Sequence, residues 1–172
     1  MKAWLNKHGV LLSLIPVVAV MGLIFWFSAQ TGTQSGQMSG KVTRWVLEKT
    51  VTDFDARPVE EQAQLLQQTG FWIRKTAHFS EFALLGFCLL LHIHQLRKVM
   101  NVRLPLLWAW GIGTLYAATD EFHQCFVGGR GPAVRDVLID SAGVIAGVML
   151  LYLVIKWKNR QSKGCNFTEG TI

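Results

Sequence analysis

The sequence predicts an all-α membrane protein: a bundle of about four transmembrane helices, with short interfacial helices between the first two. Three observations carry this expectation. Hydrophobic residues make up 51% of the 172 and charged residues only 16%, which leaves too little polar surface for a soluble globule. The apolar residues come in runs close to the roughly 20 needed to cross hydrocarbon as a helix. The 17 Lys and Arg mostly flank those runs, as membrane anchoring requires. The net charge of +6 therefore points to a lipid bilayer rather than to nucleic acid. At this length a single domain, residues 1–172, is expected.

The first span is expected over residues 10–28, since no charge falls between Lys7 and Lys41. A signal peptide competes, with Lys2 and Lys7 as its basic region and Ser28, Ala29 and Gln30 as a cleavable end. The run is longer than the usual signal core of about 7–15 residues, which favours a retained anchor. A polar, extracytoplasmic connection follows, residues 29–72. Gln30 to Gly40 is rich in small, turn-forming residues, and Val42, Trp45 and Val46 then recur at helical spacing, as in a helix lying in the interface. Pro58 opens a second such helix and Gly70 ends it, following the preference for Pro at helix starts and Gly past helix ends.

The remaining spans are expected over residues 76–96, 104–125 and 134–156. Their embedded charges are Glu81 in the second, Asp120 and Glu121 near the end of the third, and Asp136 and Asp140 in the fourth. Backbone groups in lipid must be paired within the segment, which selects helices; a barrel would show short alternating strands instead. There is no internal repeat. Cys88, Cys125 and Cys165 are odd in number and lack zinc-site spacing, so neither a disulfide framework nor a zinc site follows.

Lys and Arg are densest in the N-terminal tail, in the short second connection (Arg97, Lys98, Arg103) and in the C-terminal tail. This density predicts a multi-pass protein of the cell membrane with both termini cytoplasmic. Arg74, Lys75, His78 and Glu81 then sit at the outer end of the second span. Asp120, Glu121 and Gln124 end the third outside, Arg130 follows, and Arg135, Asp136 and Asp140 begin the fourth. Helical spacing places Arg74, His78 and Glu81 on one face, and Asp120 and Gln124 on another. Asp136, Asp140, Gly143 and Gly147 form one stripe, whose GxxxG pattern permits close helix packing.

A charge at the bilayer centre costs about 2.5–3.5 kcal/mol on insertion scales, so Glu81 and Asp140 need partners or water. Arg74, Lys75 and Arg135 can instead snorkel to the interface. A network of ion pairs gluing helices is the plain reading, at about 0.6 kcal/mol per polar contact. Against it, Glu81, Asp120, Glu121, Asp136 and Asp140 outnumber Arg74, Lys75 and Arg130, and glue needs no surplus carboxylate. The first helix reads as anchor and packing. His92 and His94 read as interfacial anchors.

The run Arg74 to Glu81, Asp120 to Gln124 with Phe126, Gly129 with Arg130, Asp136 and Gly143 together resemble the VanZ-like family of small bacterial membrane proteins. Phe27, Ser28, Ser35 and Ser39 resemble the polar stretch after that family's first span. Phe82 stands where the family commonly has Tyr, and Asp140 where it frequently has Asn. The resemblance implies a cell-envelope role and, through the family's namesake, a link to resistance to the glycopeptide antibiotic teicoplanin. An old family label, a phosphotransferase acting on butyryl groups, finds no phosphate-cradling Gly-rich loop in this sequence.

The leading expectation is a non-enzymatic protein that binds or shields a lipid-linked envelope component or a lipoglycopeptide at an acidic, extracytoplasmic site. The alternative is a membrane-embedded enzyme acting on a lipid headgroup, with His78 as general base. No cofactor is expected; a divalent cation held by carboxylate oxygens is the one candidate, and catalytic and metal-ligating residues are not assignable. Proton transport through a carboxylate–histidine relay is a third, weaker reading.

Overall fold

A computed structural model of the chain describes residues 2–129, 131 and 133–165, with the side chains of 8–129, 131 and 133–161. These residues form five α-helices: α1 (Lys2–Ser28), α2 (Gly32–Thr50), α3 (Val59–Leu96), α4 (Pro105–Gln124) and α5 (Val134–Cys165), with a 3-10 turn at Phe54–Ala56. The chain is all-helical, and three helices are long and apolar enough to cross a membrane: α1 from His8, α3, and α5 as far as Gln161. Of the four expected spans, α4 does not meet that test. Its two tryptophans, two glycines and Asp120–Glu121 dilute an otherwise apolar segment.

The connection between the first two spans differs from expectation at two points. Gln30 to Gly40 is helical from Gly32, because Thr31 caps α2: its hydroxyl accepts from the Gln34 N–H at 3.3 Å, while the Gln34 side chain accepts from the Thr31 N–H at 3.1 Å. Such a reciprocal capping box offsets the poor helix propensity of the small residues behind it. Pro58 does open a helix, with Glu60 and Glu61 in its first turn, where they meet the positive end of the helix dipole. That helix does not stop at Gly70 but runs on to Leu96. A Cβ on Gly70 would lie 3.4 Å from the Thr43 Oγ1, so this glycine lets α2 lie close to α3 rather than ending a helix. At 38 residues, α3 is about 57 Å long, nearly twice the thickness of the hydrocarbon layer. Only its second half coincides with the expected span.

Helix α3 is the hub: it packs most extensively on α5 and also against α1, α2 and α4. Its inward face, Phe82, Leu85, Leu89 and Ile93, meets Val17 and Ile24 of α1, Ala109 and Ala117 of α4, and Val144 and Val148 of α5. A Cβ on Gly86 would overlap the Val144 carbonyl oxygen and lie 3.0 Å from its carbonyl carbon, and one on Gly147 would lie 2.6 Å from the Ala83 carbonyl carbon. The two helices thus approach backbone to backbone. Lipid gives no hydrophobic drive between spans, so such close packing is what holds them. Polar clasps add to it: the Tyr116 hydroxyl donates to the Met21 carbonyl at 2.7 Å, and the Trp110 indole to Ser141 at 3.0 Å. Outward-facing Leu12, Ile15, Leu115, Leu138 and Leu150 are exposed, as lipid-facing residues are.

Candidate functional site

Gly32 and Gly129 lock the connection after α4 onto the start of α2. The Gly32 N–H donates to the Gly128 carbonyl at 3.1 Å. A Cβ on Gly32 would come within 2.6 Å of the Gly129 oxygen, and Gly129 itself has φ +77°, a conformation that costs glycine little. This clasp brings the N-terminus of α2, the middle of α3, the end of α4 and the start of α5 together around a polar pocket of about 310 Å³. Its wall includes Ser35, Arg74, Lys75, His78, Gln124 and Asp136.

An apolar groove of about 320 Å³ adjoins it, formed by Phe27, Met38, Val42, Ile73 and Ala77, with Glu81 on its wall. Ser35, Arg74 and His78 line both spaces. Beneath the pocket, Lys75, His78, Glu121, Gln124, Asp136 and Asp140 surround a gap of about 10 Å³, the room one water needs.

The carboxylates have separate surroundings. Asp120, 4% exposed, accepts from the Ser28 hydroxyl at 2.6 Å and from the Gln124 amide at 3.0 Å. Helical spacing accounts for the second bond, since the two residues are four apart. Glu121 accepts from the Ala133 N–H at 2.6 Å, which fixes the turn before α5. Asp136 pairs with Lys75. Asp140 is 3% exposed, and its Oδ1 has no donor among the described residues. Arg74 takes part in no ion pair among the described residues; its guanidinium reaches only the Ser39 hydroxyl, at 3.5 Å. Arg130 lies outside the described residues.

Two expectations are corrected. Lys75 does not snorkel: it and Asp136 are only 18% and 23% exposed, and they bridge α3 to α5. Nor is α1 merely an anchor, since Ser28 holds Asp120. A hydroxyl ending an apolar run carries no periodic signal that would mark it as a partner of Asp120. Further down the bundle, His92 Nδ1 lies 3.0 Å from the Ser13 hydroxyl, tying α3 to α1.

Gly143 and Gly147 face α3, opposite Phe79 and Ala83. The Ser80 hydroxyl donates back to the Thr76 carbonyl at 2.7 Å, so it is not poised on His78 as a nucleophile. Among the described residues, no three His, Cys, Asp or Glu converge as a metal-ligand set.

No curated protein and no solved structure matches the chain. The sequence profile of the VanZ/LLP1 family, by contrast, matches residues 13–155, a stretch that contains every described residue lining the polar pocket and the groove. The chain belongs to the VanZ/LLP1 family.

Proposed function

We propose that this protein is a non-enzymatic, membrane-embedded binding protein that holds or shields an amphiphilic component of the cell envelope. In this reading α4 is a fourth span, both termini are cytoplasmic, and the pocket opens near the extracytoplasmic face. The observation that supports it most is the adjacency of two unlike spaces. A polar pocket of about 310 Å³ and an apolar groove of about 320 Å³ share Ser35, Arg74 and His78 as a common wall. Ligand sites combine apolar lining with a few placed polar groups, and here the two are separated end to end, which suits a guest with a head and a tail. A lipid-linked envelope component has that form, and so does a lipoglycopeptide such as teicoplanin.

Photo-crosslinking in native membranes tests the reading. A benzophenone side chain at Ala77, in the groove, is compared with one at Leu153, exposed on α5. A defined lipid or lipid-linked species captured at position 77 and displaced by excess amphiphile is expected. At position 153 only the bulk lipid mixture should be captured. Identical capture profiles at the two positions would defeat the proposal.

A further inference from the structure

Resting on that reading, we infer that the guest is a lipid with an anionic, phosphate-bearing headgroup, its phosphate on Arg74 and its chain in the groove beside α2. The charge facing the polar pocket differs in sign from that of the whole cluster. Of the acids, Asp120 is engaged through Oδ2 by Ser28 and Gln124, Glu121 by the Ala133 N–H, and Asp136 through Oδ2 by Lys75, while Oδ1 of Asp120, Asp136 and Asp140 has no donor among the described residues. Among the described residues, the pocket wall carries Arg74 and Lys75 against the single carboxylate of Asp136. With Lys75 and Asp136 compensating each other, Arg74 is left as a part-buried guanidinium in no ion pair among the described residues.

An uncompensated cation at the edge of the bilayer draws an anion or water, and the planar guanidinium fork matches phosphate oxygens in bidentate geometry. The start of α2 reinforces the sign. Gly32 and Ser35 line the pocket, and the first turn of that helix has no acidic residue, so its positive dipole end faces the same space. Among the described residues, Glu81 is the one carboxylate on the groove wall, and it does not line the polar pocket. Charge complementarity therefore fixes the head, and the shared wall at Arg74 and His78 fixes where the tail leaves it.

The test uses the full chain in detergent micelles and three probes: palmitoylglycerol, palmitoylglycerol phosphate and inorganic phosphate. Wild-type protein is expected to bind the phosphorylated lipid about tenfold more tightly than its neutral counterpart, as one charge-assisted bidentate contact provides. Arg74→Gln should abolish that preference while leaving palmitoylglycerol affinity within about twofold. Arg74→Lys, which keeps the charge and serves if the glutamine variant does not fold, should retain a reduced preference. Ala77→Trp should weaken both lipids.

Equal affinity of wild-type protein for the two lipids, both blocked by Ala77→Trp, would overturn the phosphate assignment and leave the amphiphile reading standing. Saturable binding of neither lipid would overturn both. Competition by inorganic phosphate, undiminished in Ala77→Trp, would overturn the lipid as the source of the anion.

Discussion

Adding one methyl group at Gly147 should cost about 2–4 kcal/mol of stability, and the cost should resist repair from the facing side chain. A Cβ there would overlap the Ala83 carbonyl oxygen and lie 2.6 Å from its carbon and 2.9 Å from the Phe87 nitrogen. Ordinary carbon contacts begin near 3.5 Å, so α5 must withdraw from α3 by about 1 Å, and a gap of that size forfeits a quarter to a half of each dispersion contact. Overpacking a tight core costs about 1–3 kcal/mol. The reciprocal seat of Gly86 on the Val144 backbone lies on the same interface and would be stretched too. The obstacle is backbone, so Ala83→Gly should not rescue Gly147→Ala. Gly113 supplies the control: a Cβ there meets the Val144 side chain, Cγ1 at 2.7 Å and Cγ2 at 2.9 Å. Gly113→Ala should therefore be partly rescued by Val144→Ala. Steric trapping in bicelles measures these free energies directly. An unaltered Gly147→Ala protein, or one restored by Ala83→Gly, would refute the claim that backbone contact limits the approach of these helices.

Three further outcomes follow from the polar contacts. Asp136→Ala should cost about 1–3 kcal/mol by stranding Lys75, whereas Lys75→Met combined with Asp136→Leu should cost less than either single change; a double variant worse than both, in the same trapping assay, would argue against a compensated pair. Ser28→Ala removes a donor to buried Asp120 and should cost about 1–3 kcal/mol, read as a lowered thermal midpoint in detergent; an unshifted midpoint would mean that the bond contributes little. Thr31→Ala deletes the cap of α2, worth about 1 kcal/mol, and should speed amide exchange in the first turn of that helix about fivefold, with exchange in α3 unchanged.

Much of this arrangement was legible in the sequence because it depends on spacing within one helix. Arg74, His78 and Glu81 recur at four and three residues, and all three line the groove; Asp120 and Gln124, four apart, are bonded. What could not be read were partners set by how helices meet. Lys75 and Asp136 are 61 positions apart, and Ser28 and Asp120 are 92 apart. A lysine at the end of a span reads equally well as a snorkelling anchor until the facing helix is placed. Gly70 had the same ambiguity. A glycine after a polar helical stretch looks like a helix end, and only Thr43 across the interface gives it another purpose. In α4, aromatic and small residues hold the helix against its neighbours at the expense of the hydropathy that announces a span.

Counting acids against bases over the whole cluster takes no account of the partners that each carboxylate already has. A carboxylate already accepting hydrogen bonds from Ser28 and Gln124, or from the Ala133 N–H, has its charge stabilised in place, so it exerts little demand for a cation. Oδ1 of Asp120 and of Asp136 has no donor among the described residues, and neither has Oδ1 of Asp140. Asp140 lines the gap of about 10 Å³ beneath the pocket, where one water could donate to it and satisfy it without any metal or ligand. Arg74 takes part in no ion pair among the described residues. It stands where the polar pocket and the apolar groove share a wall, so the lipid proposed for it would lay its chain along Ile73 and Ala77.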